Sequence, residues 1–65
     1  MNVPQPLPKL GAPAERALAR AGVKCLEDVA SLRKSDLRTM HGVGDQAIER
    51  LRVALEAAGL AFADG

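Results

Sequence analysis

The segment whose residue types are best suited to chemistry is residues 40–48, which read MHGVGDQAI. We expect one helix to end at Met40 and another to begin at Asp45. So short a connection needs a positive φ or a close backbone approach, which glycine permits, and a bulky residue in place of Gly44 is expected to damage the fold. Val43 is expected to insert into the core and fix the turn.

This turn is expected to leave unpaired hydrogen-bond donors at the start of the last helix. They are the backbone N–H groups of Val43, Gly44, Asp45 and Gln46, and they carry the positive end of the helix dipole. Such a row of amides attracts anions, and a DNA phosphate fits it. The simpler interpretation is a tight turn between two helices with no ligand.

A few side chains could help this turn to hold phosphate. Arg16 and Arg20 lie four residues apart on one side of the first predicted helix, His41 adjoins the turn together with Gly42, and Arg50 points outward from the last helix. The alternative for each is a solvated surface residue. A small basic cluster, Arg33, Lys34 and Arg38, is the main rival anion site.

Composition excludes several classes of protein. The chain has 65 residues, which is one small domain, and its 48% hydrophobic and 26% charged residues are typical of a globular protein. Phe62 is the only aromatic residue, so binding of single strands by base stacking is excluded. Nine Lys and Arg against eight Asp and Glu give a net charge of +1, so any affinity for nucleic acid should be modest.

The single cysteine and single histidine exclude further functions. Cys25 alone permits neither an internal disulfide nor a cysteine-rich zinc site, and His41 has no partners at metal-ligand spacing. No catalytic set can be assembled from them, so we expect no enzyme, metal, cofactor or small-molecule substrate. The absence of a signal peptide and of a long apolar run predicts a cytoplasmic location with no membrane contact.

The pattern of apolar and capping residues predicts an all-α fold. Residues 1–9 form an extended, Pro-rich N-terminal arm, residues 10–62 form the domain, and residues 63–65 fray. Helices are expected from about residue 13 to 21, from 26 to 31, from 36 to 40 with Ser35 as N-cap, and from 45 to 58. Gly22 and Gly59 are expected to end the first and last helices, the latter with a Leu55–Leu60 contact.

Five short motifs together resemble the helix-hairpin-helix (HhH) superfamily. They are LxxAGV at 18–23, LEDVA at 26–30, SDL at 35–37, GVG followed by AIxxL at 42–51, and ALEAAGL at 54–60. Within the superfamily the chain is similar to the C-terminal domains of bacterial RNA polymerase alpha subunits and to small bacterial HhH DNA-binding proteins. The resemblance runs from about residue 10 to 62 and implies a compact SAM-like bundle of four or five helices that touches the DNA backbone without enzymatic activity.

The resemblance also places individual residues. Where the alpha-subunit domains have a groove-entering arginine, this chain has Pro13, and a family asparagine three residues later is Arg16 here. Gly44 matches the hairpin glycine of the family, and Gln46 stands in place of a lysine. We therefore predict weak, largely sequence-independent binding of double-stranded DNA. The alternative is a protein-interaction module on the same fold, binding a partner protein or a second copy and no nucleic acid.

Overall fold

In a computed structural model, which describes residues 4–64, the chain folds into four α-helices. These are α1 (Ala12–Arg20), α2 (Leu26–Ala30), α3 (Lys34–Arg38) and α4 (Asp45–Ala57). The described part contains no strand, only an isolated bridge between Pro6 and Cys25. The prediction of an all-α fold is confirmed. What was predicted for residues 1–3 of the arm and for residue 65 lies outside the described residues.

The longest helix, α4, is the center of the core. It packs against both α2 and α3. Its inward residues Leu51 and Leu55 are 0% and 1% exposed, and Leu18, Val29 and Leu37 from the other helices are also fully buried. These are the apolar positions that the helical spacing predicts. Ala21 is an exception, because it lies beyond the last turn of α1 and is exposed.

The first and last helices end in the same way. In α4 the Leu60 N–H donates to the Leu55 carbonyl at 2.7 Å, and Gly59 has a φ of +74°. In α1 the Val23 N–H donates to the Leu18 carbonyl at 2.9 Å, and Gly22 has a φ of +78°. Both are Schellman caps, in which glycine adopts the left-handed conformation that other residues avoid. The predicted helix ends at Gly22 and Gly59 are confirmed.

The third helix begins and ends two residues earlier than predicted. Its N-cap is Arg33 rather than Ser35, because the Asp36 carboxylate accepts the Arg33 N–H at 3.0 Å. The N–H of Lys34 donates to the Asp64 carboxylate at 3.2 Å, which satisfies a donor in the first turn. At its other end the helix stops at Arg38, and Met40 lies in the turn that follows.

The C-terminal segment is attached to this same region. The Ala63 N–H donates to the Leu32 carbonyl at 2.8 Å, next to the bond between Asp64 and Lys34. Phe62 is buried beside them in the chain. Fraying of the last residues stays a prediction, and these two bonds are what a frayed end would have to break.

The Pro-rich segment is bonded to the domain through Gln5. Its carbonyl accepts the Leu26 N–H at 2.9 Å, and its own N–H donates to the Glu27 carboxylate at 3.0 Å. Both bonds lie at the start of α2, where helix N–H groups have no partner within the helix. The segment therefore caps α2 in addition to leading the chain into the domain.

This contact predicts a pH-dependent contribution to stability. The Gln5 N–H lowers the pKa of Glu27 below its ordinary value. A carboxyl group with a lowered folded-state pKa stabilises the fold above the unfolded value of about 4.3, and this contribution is lost as the pH falls through the folded value. We expect Glu27→Gln to lower the urea midpoint at pH 7 and to have little effect at pH 2. An equal deficit at both pH values would contradict the assignment.

No helix among residues 4–64 has both the length and the apolar character needed to cross a membrane.

Candidate functional site

The turn between α3 and α4 is held tightly against the start of α1. Gly42 has a φ of +97°, and a Cβ built on it would lie 2.7 Å from the carbonyl oxygen of Pro13. Gly44, in contrast, has a φ of −104°, and nothing lies within 4 Å of the position that its Cβ would take. The expectation that Gly44 must stay small is therefore wrong. The position that tolerates no side chain is Gly42, because backbone from a distant part of the chain packs against it.

Three of the four predicted amide donors remain open. The Val43 N–H donates to the Met40 carbonyl at 3.2 Å, so the prediction that it faces solvent is wrong. The Val43 side chain is buried, as predicted. Within residues 4–64, no acceptor lies in hydrogen-bond range of the N–H groups of Gly44, Asp45 or Gln46, and these residues are exposed. The start of α4 thus presents three amides and the positive end of a helix dipole.

A groove beside this turn brings together four of the predicted site residues. It has a volume of about 180 Å³ and lies between α1 and the turn. Its lining residues are Pro13, Arg16, Ala17, Arg20, His41 and Gly42. Both arginines and the histidine are exposed, so two guanidinium groups and an imidazole converge on one small surface. We call this the cationic groove.

A second, more open groove continues from the first. It has a volume of about 290 Å³ and is lined by Ala17, Arg20, Ala21, Met40 and His41. Three of these residues also line the cationic groove, namely Ala17, Arg20 and His41. The remaining two, Ala21 and Met40, contribute only apolar side chains. We call this the apolar groove, and the two form one continuous surface along α1.

Arg50 does not reach the cationic groove. Its Nη1 donates to the carbonyl oxygen of Lys9 at 3.1 Å, which ties the segment before α1 to α4. The same segment is held by the Glu15 carboxylate, which accepts the N–H groups of Leu10 and Gly11 at 3.1 and 3.2 Å. In the structure Arg50 therefore holds this segment against α4. The predicted cations that line the cationic groove are Arg16, Arg20 and His41.

The rival basic cluster is spread over a different part of the molecule. The ammonium of Lys34 lies 5.9 Å from the center of the Phe62 ring, in a cation–π contact. Arg33 and Arg38 are exposed, and neither lines the cationic or the apolar groove. Lys34 lines a different concavity, near the C-terminal segment, so the three cations of this cluster do not converge on one groove as those of the cationic groove do.

A third concavity, near the C-terminal segment, contains an arginine that is already ion-paired. It has a volume of about 90 Å³, and Lys34, Arg52, Glu56 and Phe62 are among its lining residues. The Arg52 guanidinium donates to the Glu56 carboxylate at 2.8 Å and also to the Glu49 carboxylate, whose pKa it lowers. Among the described residues no group of three or more His, Cys, Asp or Glu side chains is placed to hold a metal ion.

Sequence reasoning missed Pro13 and Ala17 as parts of the site. Pro13 contributes the carbonyl against Gly42, and Ala17 is common to both grooves. No local pattern signals either role, because both depend on the packing of α1 against a turn far away in the chain. The helical spacing of apolar residues in α1 indicates only that Ala17 faces inward. Comparison of the chain with protein families, curated proteins and solved structures found no match.

Proposed function

We propose that this chain is a non-enzymatic domain that binds double-stranded DNA, weakly and with little sequence preference. The observation that carries the proposal is the cationic groove, in which Arg16, Arg20 and His41 converge beside the turn at Gly42. The open amides at the start of α4 adjoin this turn. Guanidinium groups, an imidazole and backbone amides are donors that proteins use to contact phosphate.

The proposal includes the fold family suggested by the sequence motifs. We propose that α3, the turn and α4 form the hairpin unit of a helix-hairpin-helix bundle, and that the Pro-rich segment is its extended N-terminal arm. The positive φ at Gly42, the buried Val43 and the exposed amides at residues 44–46 support this assignment. Each is what a turn that offers its backbone to a ligand requires.

In the proposed mechanism the site holds phosphate oxygens and reads no base. The guanidinium of Arg16 or Arg20 can donate two parallel hydrogen bonds to one phosphate. The backbone amides of residues 44–46 would donate hydrogen bonds to a neighbouring phosphate, with no side chain involved in the contact. Contacts to phosphate position a protein on DNA without sequence information, which is why we propose little sequence preference.

The negative charge of Asp45 limits the affinity. Its exposed carboxylate stands in the first turn of α4, where the helix dipole favours it, and it repels a phosphate that approaches the same amides. With a net charge of +1, the rest of the molecule adds little attraction at long range. Weak binding follows from both features.

The salt dependence of binding tests the proposal. We expect a labelled 20-base-pair duplex to bind at low salt through about two to four phosphates, and the slope of log K against log salt to be about −2 to −4. Fluorescence anisotropy at several salt concentrations measures it. Absence of binding at low salt, or binding that is independent of salt, would overturn the proposal.

A second candidate function is a protein-interaction module on the same fold. Asp45 beside the open amides and the apolar side chains of Ala21 and Met40 favour it. This candidate predicts no DNA binding, together with self-association or a partner protein. Light scattering of the chain alone, beside the DNA titration, distinguishes the two.

A further inference from the structure

The apolar groove directly continues the cationic groove, and the two share Ala17, Arg20 and His41. In a nucleic acid strand each phosphate is followed by a sugar within a few ångströms. Each phosphate joins two sugars, so a strand that has its phosphate in the cationic groove and runs along α1 lays one of these sugars over Ala21 and Met40. The two side chains that this surface adds to the shared Arg20 and His41 are a methyl group and a thioether, neither of which is a strong hydrogen-bond partner.

We infer that the apolar groove selects deoxyribose over ribose, so that the domain discriminates DNA from RNA; this inference rests on the proposed function. A deoxyribose can lay C–H groups against Ala17, Ala21 and Met40. A ribose carries a 2′-hydroxyl, which is the group by which proteins distinguish the two nucleic acids. Arg20 and His41 are engaged by the phosphate in the cationic groove. Contact with the methyl and thioether groups therefore strips water from that hydroxyl without replacing its hydrogen bonds, which costs binding free energy.

The experiment compares one duplex sequence made entirely as DNA and entirely as RNA, at the same low salt concentration. We expect the DNA duplex to bind about fivefold more tightly, the lower end of what an unsatisfied hydroxyl costs, because the groove is open to water. In Met40→Gln the new side chain can bond the hydroxyl, and the preference should fall to about twofold or less. Ala21→Ser makes the same test at an exposed position where the fold is not at risk.

The control variant is Ala57→Ser, an exposed alanine of α4 outside both grooves, in which the preference should stay unchanged. Equal binding of both duplexes by the unaltered chain would overturn the inference and leave the proposed function standing. A preference that both groove variants retain would also overturn it, because the shape of the RNA duplex would then be the cause. Failure to bind either duplex would instead overturn the proposed function.

Discussion

Gly42→Ala is expected to destabilise the domain by about 3 kcal/mol. A non-glycine residue in the left-handed region costs roughly 1–2 kcal/mol. The new methyl group would also lie 2.7 Å from the Pro13 carbonyl oxygen, so α1 or the turn must move, and overpacking of this kind costs about 1–3 kcal/mol. A domain of 65 residues has a stability of only about 3–5 kcal/mol. Most of that stability should be lost.

Two other glycines separate the causes. Gly22 has a positive φ but no atom within 4 Å of its Cβ position, so Gly22→Ala should cost only the conformational part, about 1 kcal/mol. Gly44 has neither a positive φ nor a neighbour, and Gly44→Ala should change stability by less than about 0.5 kcal/mol. Urea unfolding followed by circular dichroism ranks the three variants. If Gly44→Ala were the most damaging, the described geometry of the turn would be contradicted.

The double variant Arg16→Glu, Arg20→Glu is expected to abolish measurable DNA binding. Both side chains line the cationic groove, and each reversal replaces a phosphate donor by a charge that repels phosphate. We expect the affinity at low salt to fall more than a hundredfold, at roughly tenfold or more for each reversal. Both arginines are exposed, and one like-charge pair four residues apart on α1 is replaced by another, so the fold should survive.

The matched control reverses two arginines of the rival basic cluster. Arg33→Glu, Arg38→Glu makes the same change in net charge, from +1 by −4 to −3. Neither residue lines either groove. This variant should therefore lose only the long-range attraction that depends on net charge, which lowers the affinity about tenfold or less. Anisotropy titrations of both variants with the same duplex give the comparison. Equal losses would mean that overall charge, rather than the groove, governs binding.

Local signals in the sequence predicted the parts of the fold that local chemistry determines. The end of α4 at Gly59 and the return of Leu60 onto Leu55 follow from a glycine between two apolar residues at fixed spacing. The inward positions Ile48 and Leu51 follow from the helical period. In both cases the residues that cause the structure lie within one or two turns of it.

Two of the errors occurred where a distant residue decides the local structure. The earlier start of α3 depends partly on Asp64, thirty residues away in the chain. The requirement for glycine at position 42 rather than 44 depends on the Pro13 carbonyl. Spacing alone could place two glycines in the turn but could not say which one faces the backbone of α1.

The sequence predicted which residue types form the candidate site better than it predicted how they come together. The glycine turn, the amides and the basic residues could be identified from their types and spacing. The convergence of Arg16, Arg20 and His41 could not, since it requires the packing of α1 against the turn. Arg50 was predicted as a site residue but lies outside the groove. Its outward position on α4 gave no sign that it would donate a hydrogen bond to the Lys9 carbonyl.

Binding of phosphate between α1 and the start of α4 is tested by a map of backbone amide chemical shifts, recorded by NMR during titration with a DNA duplex. Phosphate bound at the proposed site should perturb the amides of residues 44–46 most strongly, together with those of Arg16, Arg20 and His41. Perturbations centered on residues 33–38, or no perturbations at low salt, would contradict phosphate binding at this site.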